Sequence, residues 1–291
     1  QTGGTVNLTG VMTLNQASTN LSTVGMTGLV VNGGTIVGGG STLTSNGTLA
    51  LSATSGATLN NVVLATDLSV TGLAYFSNGL TLAQNATTTN NATVTLATSG
   101  DLRYSGTQTL GGTGSLVFAS NSTNYLYRQT AGTTLTIGSG ITVSGSGTGN
   151  VNLGYYTDDA INFQGTLNAN VAGKTWYLGS VANTGNINVS AGTVHMDTVS
   201  GTGTWTNTGT VGKGIAVSGG ILNLGDAFNA SVLGNIVQTG GTVNLTGVMT
   251  LNQASTNLST VGLTSLVVTG GGAEIIGGGN TLTSNGTLAL S

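Results

Sequence analysis

Apolar and polar residues alternate in short runs from one end of this chain to the other. Thr5-Val6-Asn7-Leu8, Thr48-Leu49-Ala50-Leu51, Thr134-Leu135-Thr136-Ile137, Asn150-Val151-Asn152-Leu153, Asn186-Ile187-Asn188-Val189 and Thr193-Val194-His195-Met196 all have a period of two. That period is the signature of a strand with one buried face. It points Val6/Leu8, Leu49/Leu51 and Ile187/Val189 inward and the intervening Thr and Asn outward. Gly-Gly, Asn-Gly, Ser-Gly and Thr-Gly steps separate the runs and supply the positive φ angles of tight turns. No segment carries an i, i+3, i+4 apolar stripe with caps, so helix is expected to be nearly absent.

The turn phrases recur with a spacing. One series is Gly192-Thr193-Val194, Gly220-Ile221-Leu222 and Gly241-Thr242-Val243; a second is Gly165-Thr166-Leu167, Gly185-Asn186-Ile187, Gly209-Thr210-Val211 and Gly234-Asn235-Ile236. Steps within each series run from 20 to 28 residues, about the length of three short strands and three turns. That is one rung of a right-handed parallel β-helix, or β-solenoid. An antiparallel sandwich also alternates, but it accommodates variable rung length less easily than a solenoid, which absorbs extra residues in its turns.

A longer repeat overlies the short one. Gln1–Gly25 recurs letter for letter as Gln238–Gly262, and Thr42–Ser52 recurs as Thr281–Ser291. Between them lie the changes Met26/Leu263, Gly28/Ser265 and Asn32/Thr269, and Thr35-Ile36-Val37 gives way to the two-residue-longer Gly272-Ala273-Glu274-Ile275-Ile276. A long period of this kind marks an array. Residues 1–237 read as one full repeat of about eleven rungs, and 238–291 as the start of the next in a continuous rod. Both ends carry the same internal rungs and neither reads as a cap, as expected for part of a longer array or for a unit that stacks head to tail.

Composition narrows the partners. Charged residues are 4% of the chain against roughly 25% in an average soluble domain. Hydrophobic residues, at 38%, are too many for a disordered Gly/Ser linker. Four basic residues cannot neutralise a row of phosphates, which excludes nucleic acid as a partner. No apolar run is long enough to span a membrane as a helix. The absence of Cys removes disulfides and thiol chemistry and fits a bacterial protein kept unfolded during export.

Gly106–Phe118 (GTQTLGGTGSLVF), Thr133–Gly147 (TTLTIGSGITVSGSG), Asn183–Met196 (NTGNINVSAGTVHM) and Gly3–Gly10 (GGTVNLTG) together resemble the repeats of giant bacterial surface proteins of the autotransporter and filamentous-haemagglutinin type. The resemblance covers nearly the whole chain. It implies an extracellular, cell-surface location and a role in fibres, surface layers or adhesion.

Candidate chemistry is sparse. His195 and Asp197 are two apart on one strand and share its outer face, the relation that orients an imidazole for base catalysis; a lone His without a nucleophile more often is a solvated surface residue. Asp158-Asp159 is the only acidic pair. Calcium needs six to eight oxygens, so a turn is the simpler role for it, and no metal or other cofactor is expected. The remaining acids and bases are scattered along the chain, which argues against the clustered carboxylates of a polysaccharide-degrading enzyme.

The aromatics all lie between Tyr75 and Phe228. Tyr125, Tyr127, Tyr155, Tyr156, Trp176 and Trp205 are the candidates for a binding surface that stacks on sugars or on a neighbouring rod; filling wide rungs is the alternative role. The expectation is therefore a non-catalytic structural segment of an extracellular fibre that self-associates head to tail and side by side. A glycan-binding adhesin is the alternative, and a β-helix polysaccharide-degrading enzyme the third.

Overall fold

The computed structural model describes residues 4–46, 50–200, 203–209 and 212–290. Thr48 and Leu49 of the expected strand, and the Thr210-Val211 turn step, lie outside them. Among the described residues the chain is all β apart from one short 3₁₀ turn, Ala230–Val232. The strands stack as a β-solenoid of about 12 turns. Strand pairs run parallel throughout, which sets the antiparallel sandwich aside.

Each turn lays one strand on each of three faces. Face one is an eleven-stranded sheet that begins with Val6–Leu8, Gly28–Asn32 and Ala50–Thr54 and ends with Gly214–Val217 and Ile236–Gln238. Face two begins with Val11–Thr13 and Thr35–Val37, and face three with Ser18–Asn20 and Thr42–Thr44. At two turns faces two and three are one continuous strand, Ala57–Ala65 and Leu73–Leu82. These strands bend at Asn61 and at Asn78-Gly79, where φ is positive.

Period-two alternation within a strand becomes columns of like residues between strands. On face one, Leu68, Val94, Leu116, Val143, Leu167, Ile187, Ile215 and Ile236 sit position over position, each at most 1% exposed. Burying each such side chain is worth about 1.5–3 kcal/mol. On face two the column runs Asn124, Val151, Trp176, Val194, Leu222 and Val243. On face three, Val62, Leu80, Leu110, Ile137 and Phe163 give way to Asn183 and Asn207. Those two buried amides satisfy one another: Asn183 Nδ2 donates to Asn207 Oδ1 at 2.8 Å, and Asn207 Nδ2 donates to the Leu233 carbonyl at 2.7 Å.

The two copies of the repeated stretch fold alike. Leu14 N–H donates to Val37 O and Leu251 N–H to Ile276 O, both at 2.9 Å; Gly25 N–H donates to Ser22 O and Gly262 N–H to Ser259 O, both at 3.1 Å. The inserted Gly272-Ala273 falls in the turn between strands Ser265–Val268 and Glu274–Ile276, so the ladder is undisturbed. Yet the copies occupy different faces. Val6–Leu8 opens face one, whereas its counterpart Val243–Leu245 lies on face two, in register with Leu222–Leu224. The 237-residue period therefore spans ten turns and one further face, close to the eleven rungs expected, at about 23 residues per turn.

The rod encloses a lysine. Lys174 is 1% exposed; its Nζ donates to the carbonyls of Gly147 and Gly149, both at 2.9 Å, and lies 5.7 Å from the centre of the Trp176 ring. It makes no ion pair among the described residues. Burial pulls its pKa from 10.5 down to about 8. Below about 8 both folded and unfolded chains carry the proton and the buried charge weakens the fold. Between about 8 and 10.5 only the unfolded chain keeps it, so stability rises with pH. Measured against Lys174→Met, whose tyrosines titrate in the same way, the melting temperature of the wild type is expected to climb over that window. Parallel pH profiles in the wild type and the variant would show that Lys174 does not give up its proton on folding.

Candidate functional site

The outer side of face two carries a cluster of four tyrosines and two arginines. Alternation in the strand Asn124–Arg128 sends Leu126 inward and Tyr125 and Tyr127 outward. Register then sets Tyr125 on Asp101 and Tyr127 on Arg103 of the preceding turn. Tyr155 and Tyr156 come from the turn after the strand Val151–Leu153. The chain leaves that strand through Gly154 at φ +77°, and a Cβ there would stand 2.3 Å from the Gly179 carbonyl, so only glycine fits.

The four rings pack mostly edge to face. Centroids are 5.8 Å apart for Tyr125–Tyr127, 5.7 Å for Tyr125–Tyr155 and Tyr127–Tyr156, and 5.0 Å for Tyr155–Tyr156. Each arginine covers one ring: Arg103 stands 4.6 Å from the Tyr127 centroid and Arg128 4.6 Å from that of Tyr156. Such contacts hold flexible side chains in place and add about 0.5–1 kcal/mol apiece at exposed sites.

The cluster rests on a buried carboxylate. Asp159 is 2% exposed. Its Oδ2 accepts the N–H groups of Tyr155 and Tyr156 at 2.6 and 2.7 Å, and its Oδ1 accepts the Arg128 N–H at 3.2 Å and the Tyr104 hydroxyl at 3.4 Å. The Arg128 side chain bridges both acids, pairing with exposed Asp158 and lying 3.5 Å from Asp159. The turn expected of Asp158-Asp159 is present, and Asp159 shapes it.

The electrostatics follow from burial. Burial pushes the Tyr127 hydroxyl up to about 12 against the opposing pull of Arg103. Burial, then the neighbouring Tyr155 and Asp101, raises Tyr125, and burial raises Asp101. Tyr104 is raised by burial and by the Asp159 charge. Asp158 is held below the usual carboxylate range by its hydrogen bond from Arg128. The Tyr125 and Tyr127 hydroxyls thus remain neutral donors well above physiological pH.

Two candidates leave the surface. Trp176 and Trp205 are 1% and 3% exposed. Trp176 shares the inward side of its strand with Leu178 and meets Phe118 edge-on at 5.6 Å. Trp205 packs on Phe228 at 4.6 Å and donates its Nε1–H to the Gly225 carbonyl at 3.0 Å. Both fill the rod, and Tyr177 is the outward residue beside Trp176. The sequence reading missed Arg103 and Arg128 as members of the cluster, because they come from separate turns.

His195 and Asp197 do share a face, with Nδ1 3.4 Å from Oδ2. The imidazole is stacked on Tyr177 at 4.8 Å, and the Asn223 amide lies 3.2 Å from its Nε2. Nearby Asp226, raised by burial, accepts the N–H groups of Thr198 and Gly203. No group of three metal-ligating side chains occurs among the described residues, and no helix there is long and apolar enough to cross a membrane.

Fold and cluster together define a β-solenoid repeat protein with an aromatic surface patch. In comparison with known proteins, no family model, no curated protein and no solved structure matches the chain.

Because Asp159 is buried and shared by four donors, Asp159→Ala is expected to cost about 3–5 kcal/mol and to flatten the near-ultraviolet circular dichroism of the tyrosines. Asp158→Ala, which removes only an exposed partner, should leave both near wild type. Equal effects from the two variants would contradict Asp159 as the support of the patch.

Proposed function

We propose that this chain is a non-catalytic structural segment of an extracellular bacterial fibre, built by head-to-tail continuation of the 237-residue repeat. The observation that carries this reading is the junction between copies. Thr242–Leu245 is laid in register directly on Ile221–Leu224, with Val243 and Leu245 fully buried. One repeat passes into the next without a linker or a cap. A rod made this way draws its stiffness from unbroken ladders and its stability from neighbour-to-neighbour terms. With 4% charged residues its sides repel one another little, which favours lateral packing. The surface-protein resemblance points to the same cell-surface setting. Electron microscopy of the native material should reveal unbranched rods with an axial spacing of about 4.8 Å and a repeat of about 50 Å. Short capped particles would sink the fibre reading.

The tyrosine–arginine patch favours a second reading, a glycan-binding adhesin. Its half-exposed rings and neutral hydroxyls suit a polyol that stacks and hydrogen-bonds at once. On a glycan array, a selective signal that falls about tenfold or more in Tyr125→Ala or Tyr127→Ala would support it. Absence of any selective signal would leave the fibre alone.

A further inference from the structure

The mismatch between the 237-residue period and the turn of the solenoid has a consequence for the surface. Identical residues sit on face one in the first copy and on face two in the second. The next strands shift likewise: Val11–Thr13 lies on face two, whereas Val248–Thr250 stacks on Ala227–Asn229, the strand that follows face two in its turn. The local hydrogen bonds of the two copies are the same on either face, so these rungs do not distinguish one face from another. Inward and outward alternation is all that the backbone demands of them.

We infer that continuation of this repeat carries the tyrosine–arginine patch round the rod, one face per repeat, so that it is displayed in three rows. Resting on the array reading above, the inference puts the patch on face two in one repeat, on face three in the next and on face one in the third. Patches follow one another about 50 Å apart along the axis, and the same face recurs only every third repeat, after 711 residues or 31 turns, about 150 Å. The two-residue insertion does not alter this phase, because it is confined to a turn. A rod of this kind offers contacts on every side, and ligands or neighbouring rods can bridge it into a mat; a period of whole turns would give a one-sided ribbon. One flat partner surface engages only the patches of a single row, so its avidity is set by their spacing of about 150 Å, and the other rows stay free for further partners.

Two measurements test the phase and its consequence. The chain has no cysteine, so an introduced pair reports cleanly on neighbours. Asn223 and Asn244 are in register on face two, with their amides 2.8 Å apart. Oxidation should close a disulfide in Asn223→Cys/Asn244→Cys, at the strand spacing a disulfide spans. It should not do so in Ala216→Cys/Asn244→Cys, the pair that would meet if the second copy returned to face one. The reverse result overturns the inference whatever the assembly. For the display, cryo-electron microscopy of the native rods at strand resolution should place successive patches on successive faces. Continuous rods with every patch on the same face overturn the inference and leave the fibre reading intact. The absence of continuous rods overturns the fibre reading, and the three-row display with it.

Discussion

Everything in this molecule depends on the in-register parallel ladder between one turn and the next. A strand of three to five residues cannot hold itself together in water, and it gains stability only by lending its N–H and C=O groups to the turns on either side. Register over register, the ladder also decides which side chains meet. Leu167 lies on Ile187, and Ile187 on Ile215, because a half-step slip would turn each strand's apolar face to solvent. The same rule places Asn188 beside Asn168, where the Asn188 amide donates at 2.9 Å.

The patch arises where that rule is locally broken. On face two the inward positions Leu59, Phe76 and Tyr104 are followed in register by Arg128. A guanidinium in that column is costly unless it is paired or hydrogen-bonded. Asp159 supplies the counter-charge from the turn above, and in doing so accepts the backbone N–H groups of Tyr155 and Tyr156. The polar interruption of the core and the ordering of the surface rings are one event. A leucine at position 128 would extend the column and remove the reason for the turn that presents Tyr155 and Tyr156.

Much of this was legible in the chain. The period of two in Asn186–Val189 gave inward Ile187 and Val189, and the Gly-anchored phrases gave the length of a turn to within a residue or so. Tyr125 and Tyr127 are two apart, so their shared face could be read directly, and the buried Leu126 between them turns that face outward. The same alternation in Thr175–Leu178 places Trp176 beside Leu178, and its place among the binding-surface candidates gave aromatic character precedence over period. What alternation cannot supply is axial neighbourhood. Arg103, Tyr127 and Tyr156 are separated by 24 and 29 residues, and they converge only because the intervening turns differ in length by the right amounts. The scattered charges Asp101, Arg103, Arg128, Asp158 and Asp159 look unrelated in sequence for the same reason. Lys174 was unreadable as a buried group, because its enclosure rests on the carbonyls of Gly147 and Gly149 rather than on any charged partner.

That freedom of turn length also explains how a sequence can repeat while its fold does not return to the same face. A helical bundle or a closed barrel ties each residue to one environment through packing partners of unique shape. In this rod the requirements on a strand are apolar residues at alternate positions, a neighbour of like length and glycine where the corner is tight. Gln1–Gly25 and Gln238–Gly262 meet them equally well on different faces. A duplication of any length that ends at a corner can therefore extend the rod without disturbing its core, and nothing in the ladder favours whole turns over whole faces. The arrangement of the surface is then free to follow the length of the duplicated segment, and a period of ten turns and a face distributes it round the axis.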